Sequence, residues 1–146
     1  MIDDGPLHAT LALVRAETEL HRRLDSRLSG LHGLSLNDLV VLRELQRAPD
    51  SRLRRVDLAD ALGITSSAVT RLLLSLERIG VVGREPHPTD ARSAHAVLTP
   101  AGHRLATDAG RTASEAAGDL LGDRLSAQET ATLARLLAKL TPARRP

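Results

Sequence analysis

Ser66, Ser67, Thr70 and Arg71 fall in the run TSSAVTRLLL at spacings that gather them on one face of a helix. Hydroxyls in a first helical turn suit phosphate oxygens, because the unpaired amides and the positive end of the helix dipole already favour an anion there. A guanidinium one turn further on, at Arg71, can take O6 and N7 of guanine bidentately, a contact worth about 1–3 kcal/mol of base discrimination. Thr65 stands where it would cap that helix, and Arg54 and Arg55 upstream could hold further phosphates. The chemistry is that of binding duplex DNA.

Such residues read nothing unless a frame holds them, and RVDLADALGITSSAVTRLLL, from Arg55 to Leu74, has the pattern of a helix-turn-helix. Ala59 falls where two steeply crossing helices leave no room for a larger side chain. Gly63, four residues on, can take the positive φ that ends the first helix. Ile64 plugs the turn, and Val69 lies on the inner side of the second helix. Leu58, Leu62, Leu72 and Leu73 complete a buried stripe of helical period.

Beyond this pair, Leu76, Glu77, Gly80, Val81, Val82 and Arg84 are followed by PHPTDARSAHAVLTPAG: a helix end, a strand, a polar turn and a second strand. That arrangement is a β-wing. The chain here resembles the MarR family of winged-helix transcriptional regulators, whose pattern L-E-x-x-G-hydrophobic-hydrophobic-x-R, D-x-R, L-T-x-x-G is met by Leu76 to Arg84, Asp90 to Arg92 and Leu98 to Gly102. The resemblance implies a mainly α fold: a winged helix-turn-helix, with a three-helix core and a β-hairpin wing, flanked by N- and C-terminal dimerisation helices. It further implies that Arg92, near the wing tip, enters the minor groove, drawn by the negative potential of narrow A·T-rich stretches. Asp90 would brace Arg92 or bridge back to Arg84 at the wing base. Where the family has a small polar cap, this chain has Arg54.

Six helical segments and one hairpin follow from the pattern. The first spans about 7–29, with Leu13, Leu20, Leu24 and Leu28 on one side and Gly30 as its stop. The second opens at a capping box of Ser35 and Asp38 and ends before Pro49. After the two motif helices, the second of which stops at Gly80, strands are expected near 81–85 and 94–98. Thr99 caps a fifth helix starting at Pro100, and Ser126 with Glu129 opens a sixth, whose stripe is Leu133, Leu136, Leu137 and Leu140. The tail PARRP is expected to be disordered. The whole chain, 1–146, reads as one domain, with 36–99 as the winged-helix core and 7–29 and 100–140 as dimerisation helices. The stripe Leu20, Leu24, Leu28 and that of the sixth helix suit packing between protomers. A twofold homodimer would then present two recognition helices to a pseudo-palindromic operator.

Composition narrows the alternatives. With no cysteine, the 146 residues exclude disulfides, thiolate metal sites and cysteine nucleophiles. No apolar run approaches the roughly 20 residues of a membrane span, the start MIDDG is unlike a signal peptide, and a cytoplasmic location is expected. The formal charge is only +2, so charge alone does not point to nucleic acid. His8, His21, His32, His87, His95 and His103 are scattered, without metal-ligand spacing on any helix, although His21, His32 and His103 could converge between the first, second and fifth helices. No metal or cofactor is expected. No glycine-rich phosphate loop or Ser/His/Asp spacing supports an enzyme.

The function expected is that of a dimeric repressor released by a small effector. An effector-independent architectural or protein-interaction module is the alternative, and effector titration separates the two. With no Phe, Tyr or Trp, a pocket would be walled by leucine and valine. Arg15, His21, His32 and Arg104 are candidate polar anchors for a small organic acid or apolar compound. Some relatives sense oxidants through cysteine; here Met1 is the only sulfur.

Overall fold

The computed structural model describes residues 4–90 and 93–141. Six helices, α1 (Gly5–His32), α2 (Leu36–Arg47), α3 (Arg55–Leu62), α4 (Ser66–Arg78), α5 (Pro100–Gly122) and α6 (Ala127–Ala138), accompany three strands, β1 (Arg52–Arg54), β2 (Val82–Glu85) and β3 (His95–Leu98). Four of these helix starts are set by side chains that satisfy orphan amides. Ser35 and Asp38 form a reciprocal capping box on α2, Ser126 and Glu129 another on α6. Thr65 and Thr99 accept from Ala68 and Gly102 to cap α4 and α5.

Two expectations shift. α1 does not stop at Gly30; it continues to His32 and ends at Gly33, whose φ of 66° gives the left-handed cap. Packing outweighs the roughly 1 kcal/mol that a mid-helix glycine costs: Leu28 is fully buried, and His32 Nε2 lies 2.8 Å from Thr112 Oγ1 on α5. Leu28 therefore belongs to the protomer's own core rather than to an interprotomer stripe, while Leu20 and Leu24 are half-buried. The wing, moreover, is a three-stranded antiparallel sheet in the order β1-β3-β2, with Arg52 facing Val97 and Arg54 facing His95. β1 was not foreseen.

The core is aliphatic. Leu28, Leu34, Leu42, Leu45, Leu58, Val69 and Leu76 pack at its centre, and Leu98, Ala106 and Ala109 close it from β3 and α5. Asp25 on α1 accepts the Leu36 amide at the start of α2, fastening the N-terminal arm to the winged core. At the other extreme, α6 buries no residue within the protomer. Leu136 and Leu140 are exposed, as are Leu7, Leu11 and Val14 on α1. Exposed apolar surface of this kind marks a site of interaction.

Candidate nucleic-acid interface

The helix pair is built as its residues dictate. Ala59 is buried, Gly63 takes φ 65° and ψ 32°, and its amide and that of Ile64 both return to the Ala59 carbonyl. Leu58, Val69 and Leu73 are buried, and Leu62, Ile64 and Leu72 pack at the margin. With Val69, Leu73 and Leu76 turned inward, α4 presents Ser66, Ser67, Arg71, Leu74, Ser75 and Arg78 to solvent. Arg71 makes no hydrogen bond or ion pair to a described residue, so its guanidinium is available to a ligand.

Four of the expected contact residues are engaged within the protein: Thr65 as the α4 cap, and Thr70, Arg55 and Arg54 through their side chains. Thr70 Oγ1 donates to the Ser66 carbonyl at 3.0 Å and accepts from Arg55 Nη1 at 3.2 Å, so Arg55 ties the start of α3 to α4. Arg54 sits at the N-cap of α3 and folds over Asp57 in a bidentate pair, 2.8 and 3.0 Å. This arrangement answers the unusual residue at that cap: Asp57 supplies the negative charge that the helix N-terminus favours, and Arg54 neutralises it. The hydrogen-bonded carboxylate raises the Arg54 guanidinium above its ordinary pKa.

The wing base is braced by pairs that spacing alone did not reveal. Arg84 reaches Glu77 at the end of α4, 3.5 Å away, which accounts physically for both charged positions of the L-E-x-x-G-x-x-x-R pattern. Arg52 on β1 spans the central strand to Glu85 at 2.9 Å and also contacts Asp50 at 3.3 Å. Both pairs raise its pKa, Glu85 the more strongly. At the tip, His87 Nδ1 accepts from the amides of Thr89 and Asp90, and Asp90 accepts from the Ser93 hydroxyl. Arg92 lies outside the described residues.

The proposed effector anchors do not assemble. Arg15 and His32 are seventeen residues apart on one continuous helix, about 25 Å at the α-helical rise, too far for one small ligand within a protomer. His21 lies between Glu17 and Asp25, at 3.2 and 3.7 Å, and Arg104 is exposed on α5. Nor do the three central histidines converge: His32 meets Thr112 and His103 meets Ser51 at 3.0 Å. Among the described residues no group of three or more potential metal ligands forms.

Residues 34–94 match the MarR family. The HTH-type transcriptional repressor Rv2887 of Mycobacterium tuberculosis is 34% identical over 140 residues, covering 96% of each chain. The chain belongs to the MarR family. Its fold is likewise that of MarR-family structures. Sco3205 from Streptomyces coelicolor, solved in complex with DNA, superposes with a TM-score of 0.83 at 26% identity, over 96% of this chain and 88% of that one. A mutant MarR from E. coli, complexed with operator DNA, gives 0.76 at 29% identity, over 94% and 95%. Membership of the MarR family makes this chain a DNA-binding regulator of transcription. Its curated relatives are transcriptional repressors, and no helix among the described residues is long and apolar enough to cross a membrane.

Proposed function

We propose that the chain is a homodimeric repressor that binds a pseudo-palindromic operator, is released by a small organic effector, acts in the cytoplasm and catalyses no reaction. The observation that carries the reading is the outward face of α4, where Ser66, Ser67 and an Arg71 without a partner among the described residues stand clear of a helix whose other side is locked in the core. Ser66 and Ser67 take phosphate at the helix N-terminus, and Arg71 reads guanine. Arg55, already bonded to Thr70, is placed to hold the backbone beside them. Arg54 reaches phosphate only by leaving Asp57. Arg92 enters the minor groove from a wing whose base is anchored by Arg84.

The exposed apolar faces of α1 and α6 support the dimer. A twofold axis through these faces sets two α4 helices on one side of the duplex, one helical turn or somewhat more apart. An aliphatic cleft between the dimerisation helices and the winged core would hold the effector.

The test is binding to the DNA upstream of the chain's own gene, with sedimentation of the free protein. A dimer is expected, with affinity that falls steeply as salt rises, and Arg71→Ala should relax preference at one major-groove position in each half-site. A monomer at micromolar concentration, or equal binding to scrambled duplexes, refutes the proposal. Titration of the complex with aliphatic carboxylic acids tests effector release separately.

A further inference from the structure

The outward face of α4 is not uniformly polar. Leu74 stands near its centre, about 40° around the helix from Thr70 and about 60° from Arg71 at 100° per residue, and is 46% exposed. It contributes nothing to the stripe of Val69, Leu73 and Leu76. Thr70, one turn earlier, has committed its hydroxyl proton to the Ser66 carbonyl and one lone pair to Arg55. Its methyl is the group left without hydrogen-bond duty. Thr70 and Leu74 are thus i, i+4 neighbours that form an apolar spot beside the guanidinium of Arg71, on a face whose other members are Ser66, Ser67, Ser75 and Arg78. Among the base edges in the major groove, the group that such a spot matches is the 5-methyl of thymine.

We infer that Leu74, together with the Thr70 methyl, reads the 5-methyl group of a thymine next to the base pair taken by Arg71. The inference rests on the DNA-binding role of α4 and adds a second specificity determinant to it. Arg71 selects by hydrogen bonds and Leu74 by burial of one methyl group, so each half-site carries a guanine and a thymine at neighbouring positions.

Replacement of thymine by uracil removes only that methyl and leaves base pairing intact. The probe is a duplex enriched by the wild-type protein from a randomised library, remade with each thymine in turn changed to uracil. One thymine per half-site should weaken wild-type binding about fourfold when changed, the effect of leaving one methyl unburied. Leu74→Ala and Leu74→Gln should bind more weakly, lose the response to uracil at that position, and keep the guanine preference set by Arg71. Uracil without effect at every position, or a Leu74→Ala protein that still responds to it, overturns the inference while leaving DNA binding intact. Failure of the wild-type protein to enrich any sequence overturns the DNA-binding role and the inference with it.

Discussion

Gly102 offers a sharp test of how α5 is seated on the wing. A Cβ built there would overlap the backbone carbonyl oxygen of Val81 and approach Leu98 Cδ1 to 2.6 Å. The carbonyl cannot swing aside freely, since it accepts from the Thr99 amide at 3.1 Å. Thr99 in turn donates to the Gly80 carbonyl at 2.8 Å and caps α5 through the Gly102 amide at 3.0 Å. Forcing an extra methyl into such a site costs about 1–3 kcal/mol, and loosening one of these hydrogen bonds adds about 1 kcal/mol. Alanine's better helix propensity returns about 0.8–1 kcal/mol. Gly102→Ala should therefore lose about 1–3 kcal/mol, measured as a lower urea midpoint with unchanged slope at fixed protein concentration. Gly110→Ala on the same helix is the control: its Cβ would meet only the flexible Arg43 side chain, at 3.5 Å, so it should be neutral or stabilising by up to about 1 kcal/mol. A Gly102→Ala protein as stable as its parent would show that α5 does not rest against Val81 as described.

Gly63→Val places a β-branched residue at φ 65°, at a cost of about 1–3 kcal/mol; thermal unfolding should shift down and DNA binding weaken, and unchanged values for both would refute the turn. Glu129 is held below its ordinary pKa of 4.5 by the Ser126 amide first and the Ser126 hydroxyl second. A depressed carboxylate contributes stability that is present above the unfolded-state pKa and lost as pH falls through the folded one. Helicity followed through that acid range should show a component that Glu129→Gln abolishes, and identical titrations for both proteins would contradict the capping box. Because Met1 is the only sulfur-bearing residue, micromolar peroxide should leave the DNA complex intact in a band-shift with metal-free protein; release without chain cleavage would show a redox route that the side chains do not supply.

What the sequence disclosed and what it withheld divide along the range of the forces involved. The caps at Ser35, Thr65, Thr99 and Ser126 and the left-handed Gly63 are local events, decided within four residues, and each stands where its pattern put it. The end of α1 was misread because Gly30 and Gly33 are equally good local stops, and only the distant burial of Leu28 and the contact of His32 with Thr112 decide between them. β1 escaped for a related reason: three residues carry no period-2 signal, and the strand exists because β3 pairs with it. On the outward face of α4, residue types pointed to Ser66, Ser67 and Arg71, which the structure leaves exposed. That Arg55 would engage Thr70 depended on how two helices meet, whereas the Arg54–Asp57 pair is local and its i, i+3 spacing stood in the sequence. The candidate effector anchors lie apart within the protomer; spacing along a sequence says little about convergence in space.

The β1–β3 pairing has a mechanical meaning. β3 is held on both flanks, by β2 and by β1; β1 runs directly into α3 at Arg54 and Arg55, and β3 runs through Thr99 into α5. The hairpin is thus a lever with two roots, one at the reading head and one at the long helix. A load applied at its tip is shared between the helix pair and α5 before it can bend the wing alone. In the proposed binding mode, the wing and α4 would therefore meet their two grooves through directly joined elements, and a strain arriving along α5 would reach both.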